Sequence, residues 1–254
     1  MIPKIIHYCW FGNHPIPANL KKCMESWKVM MPDWEWKRWD ENSFDINSTP
    51  WTAEAYAARK YAFVSDYVRL LALYEFGGVY LDTDVKLEKS LEPLCYKHNA
   101  FMGFENNIVL TSAVIAMPAK HPLIASFKTY YDGKHFSQEI INSNEANVRM
   151  MTDICKRYGL ICNDSEQDLI IYKNNTTEYK VHIYPQTYFC PLDFYHNKKF
   201  SKNTYAIHYF DASWLNKETK ERIMFERSLW YKIIINVKVI FNKIIELFNM
   251  SIPR

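Results

Sequence analysis

The chain has 254 residues with 48% hydrophobic and 16% aromatic content, enough for a sizeable core and too apolar for a disordered segment. Its formal net charge of +3 argues against a dedicated nucleic-acid binder, which would carry a strongly basic face. Six scattered cysteines (Cys9, Cys23, Cys95, Cys155, Cys162, Cys190) include no C-x-x-C pair, so neither a zinc pattern nor a disulfide scaffold is indicated; a reducing cytosol is expected.

The N-terminus leads into a strand pattern, Lys4 to Trp10, with no signal-peptide or anchor pattern before it. Ile16 to Met30 follows with helical spacing and Pro17 at its start; Leu20, Met24, Trp27 and Met30 share one side. Trp34 to Trp39 reads as a second strand whose alternating Trp34 and Trp36 are packing residues. Asp40 to Trp51 reads as a loop, and Ala53 as the start of one helical region that runs into the next segment.

That segment, Tyr61 to Val85, organises the chain. Phe63, Val64, Tyr67, Leu70, Leu71 and Tyr74 recur at helical spacing, and Gly77-Gly78 stops the helix. Val79-Tyr80-Leu81 is a short buried-strand signal that delivers Asp82 and Asp84 at its C-terminal end, where ligands bind in open α/β sheets. Two carboxylates in a D-x-D pattern are hard oxygen ligands suited to Mg²⁺ or Mn²⁺, with coordination positions left for phosphates. Alone the pattern also fits a solvated turn. Asp66 and Arg69, three apart on the helix, alone fit a surface ion pair.

Together, S-D-x-x-R and L-Y-x-x-G-G-x-Y-x-D-x-D resemble the DXD-containing sugar transferases of glycosyltransferase family 32, which include Och1-like and capsule or O-antigen enzymes; the clostridial toxin glucosyltransferase domains are more distantly similar. The core match covers Ala62 to Val85. Two further matches are H-x-x-W-x-G at His7 to Gly12 and H-x(4)-S-W at His208 to Trp214. The resemblance implies a GT-A-type, Rossmann-like mixed sheet flanked by helices. It implies a metal-dependent retaining transfer of a hexose from a nucleotide sugar to a saccharide or lipid-linked saccharide acceptor in surface polysaccharide synthesis. UDP-linked galactose or glucose is the preferred donor, with GDP-mannose as the alternative. The metal is Mn²⁺ or Mg²⁺, with Asp82, Asp84 and His208 as ligands. Nucleotide-sugar contacts fall on Cys9, Trp10, Tyr61, Ser65, Asp66, Arg69, Tyr80, Asp82, Ser213 and Trp214. Trp10 stacks on the base, Asp66 orients sugar hydroxyls, Arg69 donates to a sugar or phosphate oxygen, and Trp214 closes over the diphosphate. Asp66, Arg69 and Asp84 carry the catalytic assignment, with Glu105 and Asn106 as candidates for the polar group beneath the anomeric carbon.

Downstream, Val85 to Leu87 continues the strand briefly, Lys89 to Tyr96 is irregular or a short helix, and Ala100 to Phe104 and Thr111 to Met117 are strands. Glu105, Asn106 and Asn107 are expected at the same cleft. Pro122 to Tyr131 and Asn144 to Tyr158 are helices, and the second begins with Asn144-Glu145-Ala146-Asn147 where many family members show T-G-P. Leu169 to Tyr172 and Lys180 to Tyr184 form a hairpin turning near Asn174-Asn175, with His182 a structural residue. Thr204 onward is a strand that brings His208 to its end, at the sheet edge where Asp84 lies.

Residues 1–222 are read as the transferase domain and 223–254 as an amphipathic helical appendage. In the appendage Lys232, Lys238 and Lys243 fall opposite Ile233, Ile240, Phe241, Ile244 and Phe248, and charges interrupt it too often for a spanning helix. It can dock on the domain, pair with a second chain, or lie on anionic lipid. The expected location is cytoplasmic, peripheral at the inner face of the cell membrane. A second resemblance, of VYLDTDV to the nucleophile motif of haloacid-dehalogenase-type phosphatases, makes Asp82 a nucleophile. It lacks the late acidic pair of that fold and is the runner-up. A carbohydrate-binding module is the third reading, and it requires no diphosphate-binding metal.

Overall fold

The computed structural model describes residues 1–137, 147–173, 177–193 and 197–211, and positions 218, 221, 222, 224 and 225. Almost all of the C-terminal amphipathic segment, the 222/223 boundary, the Asn174-Asn175 turn, the Asn144 to Ala146 stretch, and Ser213 and Trp214 lie outside the described residues.

A seven-stranded mixed sheet forms the frame. Its strands are β1 (Ile5–Cys9), β2 (Glu35–Trp39), β3 (Gly78–Leu81), β5 (Phe101–Gly103), β6 (Val114–Met117), β7 (Gln167–Lys173) and β8 (Thr177–Tyr184). Their order is β2-β1-β3-β6-β5-β8-β7. The β1 strand runs parallel to both β2 and β3, and β5 parallel to β8; the β6 and β7 pairings are antiparallel. Helices flank both faces, so the central strands are buried on both sides and read as unbroken apolar runs. The period of two is still visible in which core each residue joins. Tyr80, Ile115 and Met117 face one core, and Val79, Leu81, Val114 and Ala116 face the other.

The first core is covered by α2 (Pro50–Ala57), α3 (Tyr61–Phe76), α5 (Pro122–Thr129) and α6 (Asn147–Lys156). The second is covered by α1 (Ala18–Met30), α4 (Glu92–Lys97) and α7 (Gln186–Phe189). Trp27, Phe101 and Phe127 are fully buried, and each such side chain stabilises the fold by about 1.5–3 kcal/mol. All six cysteines are free thiols.

Two expectations are corrected. The helical region starting at Ala53 is two helices, α2 and α3, separated at Ala58 to Lys60. Arg59 adopts a left-handed backbone (φ 57°), a stop that sequence normally signals with Gly or Asn and here does not. The first helix also starts earlier, because Thr49 accepts the Thr52 N–H and Pro50 occupies its first turn. The second correction concerns Val85 to Leu87. It does not extend the main sheet but forms β4 (Val85–Leu87), paired antiparallel with β9 (Ala206–His208) in a separate two-stranded ribbon. Helix α1 holds this ribbon: Trp27 Nε1 donates to the Val85 carbonyl (2.7 Å) and Leu87 N–H donates to Ser26 Oγ (2.8 Å).

The α3-to-β3 turn is tightly determined. Gly77 and Gly78 have φ of 65° and 104°. A side chain on either would also meet backbone, Ala119 N at 2.5 Å for Gly77 and the Ile5 carbonyl at 2.5 Å for Gly78. Only glycine satisfies both conditions. His7 sits beneath the turn as a neutral imidazole: Nε2 donates to the Gly77 carbonyl (2.7 Å) and Nδ1 accepts from Trp39 Nε1 (3.1 Å).

Candidate functional site

Helix α3 and strand β3 place Asp66, Arg69, Tyr80 and Asp82 together at the C-terminal end of β3. Arg69 is only 4% exposed, so its pair with Asp66 is not a surface ion pair. Its Nη2 donates to Asp66 Oδ1 (3.0 Å), Nη1 donates to the Ser112 carbonyl (2.8 Å) and faces Asp82 Oδ1 (3.3 Å), and Nε donates to the Ser65 carbonyl (3.3 Å). Buried and surrounded in this way, the guanidinium is positioned to orient Asp66 and Asp82, rather than to reach freely for a sugar or phosphate oxygen. It also lies over the Tyr80 ring, 4.7 Å from its centroid, and Tyr80 Oη donates to Asp82 Oδ1 (2.8 Å).

Asp66 carries a second restraint that sequence reading missed. Asn147, the first residue of α6, donates its amide to the same Oδ1 (2.5 Å). Burial pushes Asp66 up to about 7, against the pull of Arg69. An asparagine at a helix start has no signature that would single it out in the sequence.

Asp84 and His208 meet across the β4–β9 ribbon, where His208 is in register with Val85. His208 Nε2 lies 3.4 Å from Asp84 Oδ2, and both side chains are 12% exposed. The same carboxylate oxygen accepts the Asp211 N–H (2.8 Å), and the Asp84 carbonyl accepts the Tyr209 N–H (3.1 Å). The chain after β9 wraps around Asp84 through Phe210, a buried residue with a left-handed backbone (φ 53°). Such a conformation in a bulky residue costs on the order of 1–3 kcal/mol and is held by its surroundings. Burial disfavours the His208 imidazolium, but Asp84 and the neighbouring Cys190 thiol outweigh it and raise its pKa well above the ordinary value. Burial likewise opposes the Asp84 carboxylate, and His208 outweighs it, lowering that pKa.

One ligand atom each from Asp82, Asp84 and His208 lie within 4.8 Å of one another. His208 Nδ1 is buried without a hydrogen bond to any described group. Two carboxylate oxygens and an imidazole nitrogen suit Mn²⁺, which accepts mixed O and N ligands, and the residues fit such an ion.

The remaining expected residues fall around this centre. Glu105, after β5, is close enough to His208 and Asp82 to feel both, and burial raises its pKa. Asn106 uses its side-chain oxygen locally, accepting the N–H groups of Ile108 (2.8 Å) and Val109 (3.1 Å). Trp10 is half-buried, its Nε1 donating to the His14 carbonyl (2.6 Å), which fixes the indole after β1. Tyr61 packs against Gly12, and Ser65 Oγ donates to the Tyr61 carbonyl (3.1 Å). Cys9 is buried, its thiol pushed up to about 12 by burial beside Arg69 and Tyr80. The expectation that one sheet edge brings Asp84 and His208 together is corrected: the ribbon does so, because β4 leaves the main sheet directly after Asp84.

Residues 17–101 match the family described as glycosyltransferase sugar-binding region containing DXD motif. Inositol phosphoceramide mannosyltransferase 3 of Schizosaccharomyces pombe is 33% identical over 42% of this chain and 33% of its own length. Mannosyl phosphorylinositol ceramide synthase SUR1 of Saccharomyces cerevisiae is 28% identical over 54% of this chain and 36% of its own. The match therefore spans about a third of these relatives' length. An uncharacterized glycosyltransferase, L373 of Acanthamoeba polyphaga mimivirus, is 26% identical over 89% of both chains. Among solved structures, the PaToxG glycosyltransferase aligns at a TM-score of 0.44 with 19% identity, covering 61% of this chain and 68% of that one. Residues 17–101 are thus similar to the DXD-containing sugar-binding region of glycosyltransferases.

Proposed function

We propose that this protein transfers a hexose from a nucleotide sugar to a saccharide or lipid-linked acceptor. One observation carries the reading: the ligand atoms of Asp82, Asp84 and His208 converge within 4.8 Å at the end of β3, inside or facing the matched sugar-binding region. These three residues would hold Mn²⁺ or Mg²⁺. When bound, such an ion stabilises the negative charge of a departing nucleoside diphosphate.

The chain's own groups supply the rest. Trp10, fixed after β1, offers a flat face for a base. Tyr61, Ser65, Cys9 and Tyr80 are the further donor contacts of this reading, Cys9 and Tyr80 from buried positions beside Arg69. Asp66 accepts hydrogen bonds from sugar hydroxyls through the carboxylate that Arg69 and Asn147 orient. Arg69 acts through Asp66 and Asp82, not as a free donor. Glu105, near His208 and Asp82, is the better placed candidate for the group beneath the anomeric carbon, since the Asn106 side-chain oxygen is committed to its own loop. Retention of configuration follows from the family resemblance.

The first donor reading is UDP-linked galactose or glucose. The names of the fungal relatives favour the second, GDP-mannose with an inositol phosphoceramide-type acceptor. A panel of nucleotide sugars, scored for hydrolysis and transfer with Mn²⁺ present, decides between them. No hydrolysis of any nucleotide sugar would count against the transferase reading itself. No helix among the described residues is long and apolar enough to cross a membrane. Membrane contact through residues 223–254 remains part of this proposal, tested by flotation of full-length and truncated chains with anionic vesicles.

A further inference from the structure

A second cluster of metal-binding residue types lies at the other end of the strands. β5 runs parallel to β3, since both are antiparallel to β6, so Glu105 at the end of β5 is on the Asp82 edge. His98 precedes β5, and His182 on β8 is in register with Phe101, the first residue of β5. Asp168 on β7 is directly opposite His182.

One ligand atom each from His98, Asp168 and His182 lie within 4.8 Å of one another. His182 is clamped between two carboxylates: Nδ1 is 2.7 Å from Asp168 Oδ1 and Nε2 is 3.0 Å from Glu166 Oε1. The His98 ring stacks on it, centroids 3.8 Å apart and planes 10° from parallel. The carboxylate clamp accounts for His182 without any ion. It does not account for His98, whose Nε2 is buried with no hydrogen-bond partner among the described residues. Nothing in the transfer reaction uses these residues.

We propose that His98, His182 and Asp168 form a second divalent-cation site, suited to Zn²⁺, on the sheet edge opposite the Asp82–Asp84–His208 cluster, with Glu166 holding His182 from its other ring nitrogen. Two imidazole nitrogens and one carboxylate oxygen, with water in the fourth position, are a donor set that zinc takes up in tetrahedral geometry. Bonds of about 2.1 Å put tetrahedral donors about 3.4 Å apart, so the ligands must draw together and the partly exposed His98 must tilt out of its stack. The ion would take over the charge balance now supplied by Lys180, 2.8 Å from Asp168. Binding would tie α4, β5, β7 and β8 together and stabilise the folded chain by mass action.

The test is titration of the full chain with Zn²⁺ alone, without nucleotide, in an Asp84→Asn background that removes a ligand of the other cluster. Calorimetry and thermal melts follow binding, and Co²⁺ absorption reports tetrahedral coordination. The expected result is one saturable equivalent, a tetrahedral Co²⁺ spectrum and a raised Tm. Adding His98→Ala, or Asp168→Asn at an exposed position that folding tolerates, should weaken binding at least about tenfold. No saturable binding in the Asp84→Asn chain, or affinity unchanged by His98→Ala and by Asp168→Asn, overturns the site. Because the readouts involve no sugar donor, failure here is distinct from failure of the transferase reading.

Discussion

The two wings of the candidate site are built differently. The Asp66–Arg69–Tyr80–Asp82 wing comes from one helix, one turn and one strand, close in sequence, and Arg69 faces both of its carboxylates. The Asp84–His208 wing joins residues far apart in the chain through a two-stranded ribbon, and its carboxylate is held by a histidine and a backbone N–H. The first is a hydrogen-bonded cradle that orients two carboxylates. The second is the pair that, on the proposed function, would ligate a cation. Substitutions should separate the two.

The largest effect is expected at Asp84. Asp84→Ala removes a charged ligand, and transfer should fall by at least about a hundredfold, measured as kcat/KM in the presence of Mn²⁺. Asp66→Asn acts on the cradle. It removes the carboxylate's charge beside Arg69 and one of the two acceptor oxygens offered to the sugar, and should cost about 1–3 kcal/mol of transition-state binding, a loss of roughly fivefold to 150-fold, with metal affinity unchanged. Normal transfer kinetics in that variant would mean that Asp66 serves packing alone. His208→Ala should show the opposite pattern, with metal affinity down about tenfold or more and preference shifting away from Mn²⁺, as read by Mn²⁺ and Mg²⁺ titrations.

The difference between the wings also explains what the sequence disclosed. The helix period, the Gly-Gly stop and the D-x-D spacing all sit in one short stretch, so the local wing was legible down to individual residues. The H-x(4)-S-W resemblance picked out His208, but no local signal said how it reaches Asp84; the ribbon pairing is tertiary. Backbone contributors such as the Asp211 N–H have no side-chain signature at all, and the left-handed Arg59 that splits α2 from α3 carries a residue type that gives no warning. The buried environment of Arg69 was hidden for the same reason: spacing shows a pair, and only packing shows that Ser112 and Asp82 complete it.

Smaller effects bear on the scaffold under the cradle. Gly77→Ala forces a side chain into a left-handed turn against Ala119, and should lower Tm by about 5 °C or more. An unchanged Tm would mean that the turn can relax. His7, beneath that turn, and His121, at the start of α5, are each lowered by burial to about 4. Between the ordinary value of 6.5 and about 4 the unfolded chain binds protons that the folded chain does not. Stability from these two groups is therefore complete above pH 6.5 and is lost as pH falls toward 4, by up to about 3 kcal/mol each. Urea unfolding at pH 7 and pH 4.5 checks this, and His7→Gln should flatten part of the slope.

The central claim is that Asp82, Asp84 and His208 hold a cation shared with a nucleoside diphosphate. Calorimetric titration of UDP and GDP, each with and without Mn²⁺, in the wild type and in Asp84→Ala, tests it most directly. The account predicts that one of the two nucleotides binds the wild type with Mn²⁺, that chelation abolishes this binding, and that Asp84→Ala does not restore it at any Mn²⁺ concentration below a hundredfold excess over the wild-type requirement, about 2.7 kcal/mol of lost metal affinity. Nucleotide binding that is equally tight without metal, or unchanged in Asp84→Ala, would contradict it.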